Sequence, residues 1–252
     1  MEKRDSKINS LFFHMGPGFH AKIEAQEFSQ RHPHVAFLNQ PQDLNLKDLH
    51  AWAENEVRAQ YAVTQKPLQL LGHSFGGQII AAILPGIADL VSEVRLMNTA
   101  GDSFQSFAHL RHLLLADATT STEWLQRSPE EKMNAILEVA GHPQFGDVYW
   151  KDPKAQAHYQ QIANGYPGLN IEAFIRIFSE YLAVDPQKTL QSFVWQGPTH
   201  IYYSLQDPLI TDFATVESWK SMFPNAQFHQ ISNTGHYSHF EQPSFADEFF
   251  KL

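Results

Sequence analysis

The chain has 252 residues, 43% of them hydrophobic, with 18 Lys and Arg against 27 Asp and Glu and a formal net charge of −9. That length and apolar content fit one large domain with a substantial core, and the acid excess argues against non-specific nucleic-acid binding and an anchor on anionic membrane. No cysteine is present, which removes disulfides, a thiol nucleophile and thiolate metal sites.

The first residues, Met1 to Lys7, are charged but mixed in sign. The apolar run behind them, Ile8–Phe13, is interrupted by Asn9 and Ser10 and is too short for a signal peptide. No apolar stretch approaches bilayer-spanning length. A soluble cytoplasmic protein is expected, with no nucleic-acid partner, membrane span, cofactor or metal, and with an oligomeric state the sequence leaves open.

Strands and helices then alternate. Ile8–Phe13 reads as a strand, followed by a Gly-Pro-Gly loop at 16–18 and a helix near Ala21–Arg31. Val35–Leu38 is a second strand. Leu46–Tyr61 is a helix with Leu49, Trp52, Ala53, Val57 and Tyr61 on one face. Leu68–Leu71 is a third strand, Gln78–Leu84 a buried helix ended by Pro85-Gly86, and Val94–Met97 a fourth strand. His200–Ser204 and Phe228–Ile231 are the fifth and sixth, accompanied by helices near Phe213–Met222 and Ser244–Phe250. This rhythm predicts an α/β fold with a doubly wound, mostly parallel six-stranded sheet.

Residues 101–193 break the rhythm. Glu130–Val139, Lys154–Asn164 and Ile171–Ala183 carry helical periodicity, and no convincing strand separates them. The expected division is therefore a core of 1–100 and 194–252 with a helical insertion at 101–193. The insertion is rich in aromatics, among them Phe104, Phe107, Trp124, Phe145, Tyr149, Trp150, Tyr159, Tyr166, Phe174, Phe178 and Tyr181. Most pack the insertion itself; some are expected to roof an apolar pocket at its junction with the core.

The chemistry centres on Gly72-His73-Ser74-Phe75-Gly76-Gly77. Gly-x-Ser-x-Gly arises by chance in roughly one 250-residue chain in ten, so context decides. Here an apolar strand precedes the motif and a helix follows it. Gly72 and Gly76 remove side chains that would collide in so sharp a turn, and Ser74 is then held out at the sheet edge beside a helix start. The plain alternative is a glycine-rich turn with a solvent serine.

A serine hydroxyl needs a base, and the base needs an orienting carboxylate. Among 14 histidines, position discriminates. His236, in Thr234-Gly235-His236, follows the last strand and opens onto the same edge as Ser74; His239 is placed on the helix side. Asp207, in Gln206-Asp207-Pro208, follows the fifth strand, with Asp102 as its rival after the fourth. The order Ser74, Asp207, His236 suits this type of turn. Donors for an oxyanion are expected from the Phe75 N–H and from Gly16 or Met15, since Pro17 has none. His14 is expected to brace that loop.

On these residues the chain resembles the serine hydrolases of the α/β-hydrolase superfamily, from about Leu11 to the C-terminus. The resemblance implies an eight-stranded core with the insertion as a cap between strands six and seven. Only 13 residues precede His14, so the N-terminal hairpin is expected to be missing and the sheet to be six-stranded and parallel. Met15 stands where the family often has a second glycine. Asn39–Asp43 replaces the family's glycine-rich turn, so that loop is expected to be reshaped. The implied activity is hydrolysis of a carboxylic ester or related acyl compound through an acyl-enzyme, on a small apolar acyl or aryl substrate. Thioesters, lactones and carbon–carbon bonds beside a ketone remain open, as does a non-catalytic ligand-binding protein. A serine nucleophile sets the chain apart from the dehalogenase and epoxide-hydrolase branches.

Overall fold

A computed structural model describes residues 5–252 except 102, 118–119, 184–192 and 211. Its strands are β1 (Ser10–Phe13), β2 (Val35–Leu38), β3 (Leu68–His73), β4 (Val91–Met97), β5 (Thr199–Tyr203) and β6 (Gln227–Gln230). They form one sheet in the order β2-β1-β3-β4-β5-β6, and every neighbouring pair is parallel. The six-stranded parallel α/β fold expected from the sequence is the fold of the protein.

Period-two alternation builds a core on each side of this sheet. Leu11, Phe13, Leu70, Leu96 and Ile201 pack into one cluster with α2 (Leu46–Thr64) and α3 (Phe75–Ile87). Phe12, Leu71, Met97 and Tyr202 turn the other way, onto α1 (Lys22–Phe28) and the C-terminal helix Pro243–Phe250. Each fully buried Leu, Ile or Phe in these clusters contributes about 1.5–3 kcal/mol. Between β4 and β5 lie α4 (Ser103–Leu115), α5 (Ser121–Gln126), α6 (Pro129–Ala140), α7 (Pro153–Ala163) and α8 (Ile171–Ala183). After β5 come α9 (Phe213–Glu217), then, beyond β6, α10 (Ser238–Glu241) and α11 (Pro243–Phe250).

One boundary differs from expectation for a clear reason. The buried helix starts at Phe75 and runs through Pro85 to Ile87 instead of ending at Pro85-Gly86. Proline removes one backbone bond near the helix end, but Leu84 and Ile87 are fully buried and Arg58 Nη2 donates to the Gly86 carbonyl at 2.6 Å. Packing of the last turn outweighs the lost bond. The helix α4 and the short helices α5 and α10 carry no strong periodic pattern and were not legible beforehand. For α5, a capping box between Thr120 and Glu123 supplies what periodicity does not.

The strand order reverses at β1 and β3. That reversal opens a crevice at their carboxyl ends, between the loop after β1 and the turn after β3.

Candidate active site

Ser74 sits between β3 and α3 with φ 55° and ψ −121°, in the left-handed half of backbone space that a non-glycine residue rarely occupies. Its N–H donates to the Met97 carbonyl at 3.0 Å, and its carbonyl accepts from Gly77 N at 3.0 Å. The flanking glycines are sterically required. A Cβ on Gly76 would collide with the Phe13 carbonyl oxygen, and one on Gly72 would lie 2.8 Å from the Gly77 backbone. Ser74 itself is only half-buried, while its neighbours are buried. Phe75 opens α3, so its N–H belongs to the first helical turn, which has no intrahelical acceptor.

The loop after β1 carries Met15, buried, and Gly16, with φ +49°. His14 stands behind it, fully buried. Its Nδ1 lies 2.6 Å from the Met15 carbonyl, and Nε2 accepts from Gln40 N at 3.5 Å. That arrangement calls for the neutral imidazole with its proton on Nδ1, and burial lowers its pKa to about 4. The segment 39–43 takes part in the same bracing. Gln40 Nε2 donates to the His14 carbonyl at 3.2 Å and Gln42 Nε2 to the Phe19 carbonyl at 2.7 Å. Arg176 of α8 donates to the carbonyls of Gln42 and Leu44.

Across the crevice, His236 and Asp207 meet. His236 Nδ1 lies 2.7 Å from Asp207 Oδ2, and both side chains are almost wholly buried. Asp207 Oδ1 accepts from Leu209 N at 2.9 Å. An ionised carboxylate only accepts, so Nδ1 carries the proton and Nε2 is left with its lone pair. His73, the residue before Ser74, presents Nε2 to the His236 carbonyl at 2.9 Å, with the two rings 4.8 Å apart. Asp102, the other acid considered, lies outside the described residues.

Three further residues hold His236 in place. Asn98, at the end of β4 with φ 47°, donates from Nδ2 to the Gly235 and His236 carbonyls at 3.1 and 2.9 Å and to Ser238 Oγ at 2.9 Å. Its Oδ1 accepts from Ser204 N at 3.0 Å, so one side chain ties β4 to the loops bearing both His236 and Asp207. Glu241 accepts from the backbone amides of Gly235, Lys151 and Asp152. The Tyr149 carbonyl accepts from His236 N at 2.8 Å, and its ring lies 5.4 Å from the imidazole. Burial, reinforced by the Asp207 charge, raises the Tyr149 phenol, which stays protonated. Trp150 stacks on Tyr237 at 4.2 Å and 4°. Neither Asn98 nor Glu241 was singled out from the sequence, and Tyr149 stood there only as one aromatic among many. An Asn closing a strand, where left-handed backbone favours that residue, was the only local signal available.

The inserted helices reach the elbow through aromatic rings. Phe75 lies 6.3 Å from Phe178 and 5.5 Å from Tyr181, and Phe178 packs against Phe107 and Phe174 at 5.2 and 5.3 Å. Other rings of the insertion do different work: Trp124 is buried among the inserted helices, and Tyr166 pairs with His20. The side chain of Phe104 lies outside the described residues.

Against known families, residues 16–248 match the model of the alpha/beta hydrolase family. The chain belongs to the alpha/beta hydrolase family. Solved structures agree in fold. A proline iminopeptidase-related protein from Thermus thermophilus superposes with a TM-score of 0.74 at 18% identity, over 99% of this chain and 90% of that one. The esterase of Exiguobacterium antarcticum gives 0.64 at 14% identity, covering 95% and 89%. A 2-hydroxy-6-oxo-6-phenylhexa-2,4-dienoate hydrolase from a Rhodococcus species gives 0.61 at 16%, covering 99% and 92%. No curated protein matches this hydrolase significantly in sequence. Among its described residues, no helix is long and apolar enough to cross a membrane.

Proposed function

We propose that this hydrolase cleaves a carboxylic ester or a related acyl compound through an acyl-enzyme formed on Ser74. The observation that carries the reading is the buried 2.7 Å contact between His236 Nδ1 and Asp207 Oδ2, locked to the residue preceding Ser74 through the His236 carbonyl. In this reading His236 Nε2 takes the Ser74 proton as Oγ attacks the carbonyl carbon. Asp207 stabilises the imidazolium and fixes its orientation. The developing oxyanion is held by the N–H groups of Phe75 and of Gly16 or Met15. The proton then passes to the leaving alcohol, and His236 activates the water that releases the acid. The contact with His236 is what favours Asp207 over Asp102.

Residues 101–193 act as a cap over this site. The rings of Phe75, Phe107, Phe174, Phe178 and Tyr181 favour an apolar acyl or aryl substrate. Thioesters and carbon–carbon bonds beside a ketone would use the same three side chains, so a substrate panel has to separate them.

Fluorophosphonate labelling followed by peptide mapping tests the proposal. Ser74 is expected to be the labelled residue, and Ser74→Ala is expected to lose both labelling and ester turnover by at least about 10³-fold. Asp207→Asn is expected to reduce turnover by a comparable factor while the protein stays folded. Equal behaviour of wild type and Ser74→Ala across aryl esters, acyl thioesters and long-chain esters would end the hydrolytic reading.

A further inference from the structure

Behind His236, away from its contact with Asp207, three side chains from distant parts of the chain converge in the interior. They are Glu24 of α1, His73 at the end of β3 and His239 of α10. Each offers a ligand atom, and these atoms lie within 4.8 Å of one another. All three residues are buried, at 1%, 0% and 1% relative exposure. Among the described residues, Glu24 Oε2, His73 Nδ1 and both ring nitrogens of His239 have no hydrogen-bond partner. Native interiors rarely leave so many polar atoms unsatisfied at one point. Glu24 Oε1 and His239 Nε2, at 4.0 Å, are too far apart to satisfy each other directly.

We propose that Glu24, His73 and His239 bind one zinc-type divalent transition-metal ion, and that the ion clamps α1 and α10 to the end of β3. Two imidazoles and one carboxylate form a donor set suited to zinc, and three protein ligands leave a fourth position for a water. His73 already has the outer contact such a ligand needs. Its Nε2 donates to the His236 carbonyl at 2.9 Å, which fixes the tautomer and leaves the unpartnered Nδ1 as the nitrogen with a free lone pair. The rings of Phe12, Phe28, Phe240 and Phe250 pack around His239 at 4.8–6.4 Å and keep solvent away. The ion supplies the charge that a buried carboxylate otherwise lacks. Zinc–nitrogen and zinc–oxygen bonds are roughly 2.0–2.2 Å, so each donor closes in by less than about 1 Å. So enclosed a site loads as the chain folds. The ion takes no part in the acyl chemistry proposed above; it adjoins that site through His73, whose Nε2 bonds the His236 carbonyl and whose ring lies 4.8 Å from the His236 ring.

The test uses the full chain with any affinity tag removed, produced in medium supplemented with zinc or, separately, cobalt. Elemental analysis after gel filtration is expected to find about one zinc per chain. The cobalt form is expected to show the visible absorption of a low-coordinate nitrogen–oxygen site. Glu24→Gln and His239→Gln are each expected to drop metal to background, while His158→Gln, an exposed histidine on α7, keeps it. Dipicolinate is expected to lower the Tm of the wild type by several degrees and to leave that of Glu24→Gln unmoved. If the variants do not fold, the wild-type stoichiometry and cobalt spectrum decide alone. Less than a tenth of an equivalent in wild type refolded with zinc, or full metal retention by both variants, overturns the proposal. The first result would leave the cluster as a bridging water or a proton-sharing contact. Fluorophosphonate labelling of the same samples reports on Ser74 independently.

Discussion

The carboxyl edge of the sheet and the inserted helices solve opposite problems. At the sheet edge, backbone meets backbone with no space to spare: Gly76 lies against the Phe13 carbonyl, and Ser74 is forced to φ 55°. In the insertion, Gly146 and Gly168 have nothing within 4 Å of where a Cβ would stand. The insertion is tied to the edge at a few points: the Tyr149 carbonyl, the Glu241 carboxylate, Arg176, and the rings around Phe178. The contrast teaches that the fold concentrates its steric precision at the carboxyl edge that carries Ser74. The inserted helices, proposed above as a cap, are tied to that edge by side-chain contacts and a few backbone bonds.

The steepest break in that contrast is Gly76→Ala. The new methyl meets only backbone atoms, which cannot step aside, so a loss of at least about 3 kcal/mol is expected in urea unfolding, with activity lost. Asn98→Ala comes next. It removes three donated bonds and leaves the buried Ser204 N–H without its acceptor, for about 3 kcal/mol and a large fall in kcat. If turnover survives that loss of stability unchanged, Asn98 does not position His236.

A third test uses pH. Burial depresses His14 to about 4 from 6.5, so the unfolded chain takes up this proton more readily than the folded one. Its contribution is therefore complete above pH 6.5 and is lost as pH falls towards 4, by about 1–2 kcal/mol between pH 7 and 5. His14→Gln should flatten that part of the urea-midpoint profile; an unchanged slope would assign it to other groups.

Glu241→Gln probes the tie between the two regions. Exchanging a charged acceptor of three amides for a neutral one is expected to cost about 1–2 kcal/mol and to lower kcat severalfold, with KM nearly constant. A rise in KM alone would mean that the tie shapes the substrate space instead of His236. Gly146→Ala is the opposite pole of Gly76→Ala and should stay within about 0.5 kcal/mol of wild type.

Much of this organisation was legible in advance. The strand–elbow–helix pattern around Ser74 is local, because glycine spacing and apolar runs act over a few residues. The nearness of Asp207 and His236 was readable because parallel strands place the loops that follow them on one edge. The parts played by Asn98 and Glu241 were not. Asn98 acts through residues more than 100 positions away, and Glu241 joins Gly235 to an insertion whose docking no periodicity encodes. Pro85 misled for a related reason: the sequence shows the missing N–H, but not the buried Ile87 that holds the last helical turn.

By itself, then, the amino-acid sequence determined the parallel α/β architecture, the turn that exposes Ser74 and the residue types set around it, because these follow from steric rules and hydrophobic periodicity along a short stretch of chain. Only the tertiary structure decided which acid His236 meets, which side chains hold its loop, which rings face Phe75, and that Glu24, His73 and His239 come together in the interior. Those outcomes depend on how α1, α8 and α10 pack against the sheet, and packing brings together side chains whose separation along the chain carries no trace of the contact.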